Sequence, residues 1–93
     1  MVNSAEVEMD PFAKRGHRFL ERKAHVTELW QKGEHREALS ATEHRYASTI
    51  FDLFQENPNP SWAQIAKAIG KSRTFAENEV TVLKDLGIPL GKD

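Results

Sequence analysis

Arg73, Glu77 and Asn78 stand close together and carry the groups best suited to reading a flat polar edge. A guanidinium can bond a guanine bidentately, a carboxamide matches adenine, and a carboxylate accepts from the amino group of cytosine. Ser72, Thr74 and Thr81 add hydroxyls to the same stretch. Gln64, Lys67, Lys71 and Lys84 border it and suit phosphate oxygens, which position a nucleic-acid binder without reading sequence. The chemistry is recognition of base edges in a duplex, provided that the stretch is a helix with this side bare. Phe75 could touch a thymine methyl, or pack against a neighbouring helix instead.

Catalysis finds no comparable set. The sequence has no phosphate-cradling glycine loop, no H-E-x-x-H and no Ser-His-Asp spacing on recognisable elements. His17, His25, His35 and His44 are scattered, and no two are four apart, the spacing that brings two imidazoles to one metal from one helix. Glu34–His35 and Glu43–His44 are adjacent pairs that a change of pH can address. Zero cysteines exclude disulfides and thiolate zinc sites and fit a reducing compartment. A binding protein without metal or cofactor is expected, rather than an enzyme.

Two short helices must position the polar set. Trp62, Ile65, Ala66 and Ile69 recur at helical spacing behind Ser61, a suitable N-cap. Gly70 ends that helix, because a sharp turn at its C-terminus needs a residue tolerant of positive φ. Ser72 is placed to cap a second helix, 72–84, whose inward stripe is Ala76, Val80 and Leu83. The small Ala66 lets the two helices approach closely.

The segment IAKAIGKSRT, with an Ala in the first helix, a turn Gly and a Ser-Arg start to the second, resembles the core of the helix-turn-helix DNA-binding families. The preceding LSATEHRYASTIFDLFQENPNPSWAQIAKAIG is similar to the opening of winged-helix regulators of the MarR-like kind, where a leading helix ends in a polar loop before the pair. The likeness covers about Leu39 to Leu86. It implies a small transcriptional regulator, a repressor, reading duplex DNA with the second helix in the major groove. Three features depart from the pattern. Lys71 stands where an apolar turn residue is usual, Ala76 where a Val or Ile is usual, and Glu77 and Glu79 add negative charge.

Upstream, Asp10-Pro11 is a helix start, with Asp as N-cap and Pro at the first helical position. The helix is expected from Pro11 to about Lys32, with Gly33 stopping it. Phe12, Phe19, Val26 and Trp30 form an apolar stripe at near-heptad spacing, with Leu20 and Leu29 beside it. That stripe either packs on the C-terminal unit or pairs with its copy; the expectation is a homodimer. Lys14, Arg15, Arg18, Arg22 and Lys23 make the same helix basic, opposed by Glu21. They form either a solvated face or one that contacts phosphates.

Between the two regions, Ser40 and Glu43 match a capping box, which starts a helix at Ser40 and leaves 34–39 as a short turn. One continuous helix from Glu34 to Glu56 is the alternative. Asn57-Pro58-Asn59-Pro60 breaks the chain. Ile88-Pro89-Leu90-Gly91 is extended, too near the end at Asp93 for a full two-stranded wing.

The expected fold is therefore all-α: residues 1–9 as a disordered tail, 10–33 as the N-terminal helix, and 34–93 as a helix-turn-helix unit with at most a vestigial wing. A balance of 39% hydrophobic and 29% charged residues is that of a globular chain, and no apolar run approaches a membrane span. The acidic, polar N-terminus does not resemble a secretory or transit signal, so a cytoplasmic location is expected. A net charge of −1 is low for a nucleic-acid binder. It leaves open a second reading, a helix-turn-helix fold used as a protein-interaction module or phage assembly subunit without DNA readout.

Overall fold

The computed structural model describes residues 11–91, with side chains described from residue 18 onward. The described chain is all-helical, with five helices and no strand: α1 Pro11–Gln31, α2 His35–Ala41, α3 Ala47–Glu56, α4 Trp62–Ile69 and α5 Arg73–Asp85. Sequential neighbours pack on each other, α1 chiefly on α2, and α3 contacts both α4 and α5. The proposed tail, 1–9, and the Asp10 cap lie outside the described residues.

Local signals explain the second half. Ser61 accepts from the Gln64 N–H at 3.1 Å while Gln64 Oε1 accepts from the Ser61 N–H at 2.8 Å, a complete capping box. Gly70 ends α4 at φ 68° and ψ 33°; its N–H reaches the Lys67 carbonyl and the Lys71 N–H reaches Ala66. Those two bonds satisfy carbonyls that the helix end would leave bare. Ser72 then caps α5, its hydroxyl accepting from the Phe75 N–H at 3.1 Å. Ile65, Ala66, Ile69, Ala76, Val80 and Leu83 bury the faces between α4 and α5, joined by Ile50, Phe51 and Phe54 of α3. Ala76 is fully buried, so the residue smaller than expected marks a close approach.

The region 34–56 departs from both expected forms. Ser40 lies within α2, not at the start of a helix, and the break falls later, at 42–46. Thr42 makes this break without glycine or proline. Its hydroxyl is completely buried, donates to the Leu39 carbonyl at 2.6 Å and accepts from the His44 N–H at 3.2 Å. The side chain thus gives the His44 N–H an acceptor in place of the Ser40 carbonyl that it would meet in a continued helix. Glu43 takes φ 61°, a position usually held by glycine, at a cost of roughly 1–2 kcal/mol. The Ser40–Glu43 pair is accordingly no capping box.

Helix α1 joins the core near its C-terminal end. Val26 is fully buried inside this chain. Trp30, half-buried, stacks on His35 with centroids 3.9 Å apart and meets the Phe51 ring edge-on at 5.3 Å. Val26 is thus part of the core of this chain, and Trp30 packs against that core while staying partly exposed. Phe19 is half-buried, and Phe12 lies outside the described side chains.

After α5 the chain supplies an ordered, buried tail instead of a wing. Leu86, Ile88 and Leu90 are buried. The tail passes close to α1 at Gly87, where a Cβ would sit 2.9 Å from Thr27 Oγ1. It reaches the 57–60 loop at Gly91, where a Cβ would lie 3.2 Å from the Pro58 carbonyl oxygen. Among the described residues no helix is long and apolar enough to cross a membrane.

Candidate functional site

The N-terminal half of α5 is held from behind and bare in front. Ala76 and Val80 lock it to the core, so the opposite side, with Thr74, Asn78 and Thr81, faces out and is exposed. Arg73 is 68% exposed at the start of the helix. Gly70 and Ser72 fix where that start lies.

Several of the expected base readers have local duties. The Ser72 hydroxyl is the α5 cap, and Thr81 Oγ1 donates to the Glu77 carbonyl at 2.9 Å. Arg73 Nε donates to Glu77 Oε2 at 3.1 Å, an i, i+4 pair on the solvent surface. Thr74 and Asn78 carry no such bond to this helix that orients them away from solvent. Of the expected phosphate contacts, Gln64 closes the α4 capping box, Lys67 is exposed, and Lys84 is half-buried near the end of α5.

The two glutamates of α5 part company. Glu79 turns toward the 42–46 turn, where its carboxylate lies 3.2 Å from His44 Nδ1 and is 14% exposed. It therefore does not present charge on the outward face. Glu77 does, at 45% exposure, and there it is matched by Arg73.

Spacing alone did not reveal the cluster that frames the start of α5. Phe75, 37% exposed, meets Tyr46 edge-to-face with centroids 5.9 Å apart. The Lys71 ammonium lies 5.7 Å from the Phe75 centroid and 5.9 Å from that of Tyr46, and the Arg45 guanidinium lies 5.9 Å from Tyr46. Two cations are thus held beside aromatic faces, an attraction of about 0.5–1 kcal/mol each at an exposed site. The polar Lys71 in the turn has a partner after all, and Phe75 packs across onto the 42–46 turn. The signal available in the sequence was the Arg45-Tyr46 pair, unusable until the turn brought it to α5.

Among the described residues no three of His, Asp or Glu gather to hold an ion. Comparison of the chain with family models, curated proteins and solved structures gives no match.

Proposed function

We propose that the chain is a small helix-turn-helix regulator that binds duplex DNA by placing the N-terminal half of α5 in the major groove, acting as a homodimer in the manner of a repressor. The observation that carries this reading is the bare outer side of α5, with Arg73, Thr74 and Asn78 offered to solvent beside Lys67 and Lys71. Asn78 and Arg73 are the base readers of choice, for adenine and guanine respectively. Ser72, Gln64 and Thr81 act first through the helix geometry that they stabilise. A two-fold pair of chains doubles the phosphate contacts and sets half-sites one helical turn apart.

The inward turn of Glu79 supports the reading, since it removes one of two charges that would repel phosphates. The Arg73–Glu77 pair favours the second reading, a protein-interaction module, because it partly spends the cation on the helix itself.

Selection of bound duplexes from a random pool with the purified protein tests this. A defined sequence preference is expected, and Arg73→Ala should relax it at one base pair, costing about 1–3 kcal/mol. Absence of salt-dependent binding to any duplex, even at low ionic strength, transfers the assignment to the interaction module.

A further inference from the structure

The 42–46 turn has a second neighbour besides α5. Between it and α1 lies an open groove of about 400 Å³, lined by Arg18, Glu21, Arg22, His25, Ala41 and Glu43. Arg18, Arg22 and His25 fall at i, i+4 and i+7, so the helix presents them as one row. Arg18 and His25 are exposed. Arg22 is 30% exposed and donates to Glu43 Oε1 at 3.2 Å, while Glu43 itself is 71% exposed. The same turn then touches α5 twice, through His44 to Glu79 and through Tyr46 to Phe75. The basic row and the start of α5 thus flank one short turn.

We propose that this groove binds the phosphate backbone of duplex DNA beside the bases read by α5, with Arg18 and Arg22 as phosphate ligands and Glu43 as a competing anion. The inference rests on the DNA-binding reading above. The groove is open and runs along a helix face, which suits a polyanion lying across it. A small molecule needs walls that bury most of its surface. Guanidinium groups bond phosphate oxygens bidentately, so two arginines one turn apart make a stronger pair of contacts than two lysines. Glu43 holds Arg22 in place in the free protein and must release it as a phosphate arrives. That exchange costs little, because an ion pair so exposed contributes little.

Affinities of the full chain for random and selected duplexes, measured between about 50 and 200 mM salt, test the proposal. The double variant Arg18→Gln, Arg22→Gln should flatten the plot of log affinity against log salt by about 2 for each chain bound, about 4 for a two-fold pair, and leave sequence preference unchanged. The ratio of wild-type to variant affinity then shrinks roughly tenfold for each chain bound over that range. Glu43→Gln should tighten binding several-fold at low salt, a gain that misfolding cannot imitate. Lys32→Gln, paired with Glu28 elsewhere on the surface, serves as a single-charge control and should change the slope by less than half as much as the double variant. An unchanged slope in the double variant, or a Glu43→Gln that binds no tighter, overturns the proposal. If those variants are silent while Arg73→Ala relaxes sequence preference, the groove fails alone. If they act while Arg73→Ala changes no preference, base reading by α5 fails and the groove stands. Wild-type protein that binds no duplex at low salt removes both.

Discussion

Helix α1 and the α4–α5 pair solve the same problem by opposite means. The pair consists of short helices, each started by a serine cap, joined through an αL glycine and buried along one face of each. Helix α1 is more than twice as long as α4, yet Val26 is its one fully buried side chain among those described. Its hold on the body comes late, through Val26, Leu29 and Trp30, while Leu20 is 64% exposed. The pair is therefore specified by many local agreements, and α1 by a few contacts at one end. Burial is thus continuous along α4 and α5, whereas in α1 it is concentrated near the C-terminal end.

That contrast can be broken most forcefully in the core. Leu83→Ala, at a fully buried position of α5, should cost about 2–5 kcal/mol in denaturant unfolding, a large share of what a domain this size has. Leu20→Ala should stay within about 0.5 kcal/mol. A Leu20→Ala loss well above that, growing with protein concentration, would mean that the outer side of α1 pairs with a second copy.

Two glycines sharpen the comparison at the next level of effect. Gly70 has φ 68° with open space around a would-be Cβ, so Gly70→Ala carries a purely conformational cost of about 1–2 kcal/mol. Gly87 has φ 104° and faces Thr27 Oγ1 of α1 at 2.9 Å, so Gly87→Ala adds a clash to strain, together about 1–3 kcal/mol. Combining Gly87→Ala with Thr27→Ala should recover the steric part and leave the backbone part, a non-additivity that unfolding of the four proteins measures. If the two glycine variants cost the same and no recovery occurs, the tail does not brace α1.

What could be read from the sequence divides along the same line. The caps at Ser61 and Ser72, the turn at Gly70, the stop at Gly33 and the break at 57–60 are local, each a residue type with one dominant backbone use. The break at 42–46 was not legible, because a buried threonine and a glutamate in the left-handed region do there what glycine does elsewhere. Nothing in the letters distinguishes that threonine from one inside a helix. The Ser40–Glu43 spacing even pointed to a helix start where one ends. The stripe of α1 was legible as apolar, but periodicity does not say what covers a face, and Val26 is covered from within while Trp30 is covered only in part. For the candidate site, the outward positions Thr74 and Asn78 followed from the inward stripe opposite them. The direction of Glu79 and the placing of Arg45 and Lys71 against Tyr46 and Phe75 needed the fold, since each crosses between distant segments.

The smallest effect on stability carries the most information about function. Glu77→Gln removes an exposed i, i+4 partner of Arg73, an interaction of about 0.2–0.5 kcal/mol, so unfolding should hardly change. Duplex binding responds differently if α5 lies in the groove. Arg73 is then freed toward a base, and a negative charge is withdrawn from beside the phosphates. Both effects act in one direction, so affinity for duplexes of any sequence should rise, most at low salt. Preference should weaken at any position where Glu77 had accepted from a cytosine. A protein-interaction surface predicts neither change. Equal stability with unchanged duplex affinity in Glu77→Gln would argue that the bare side of α5 meets another protein.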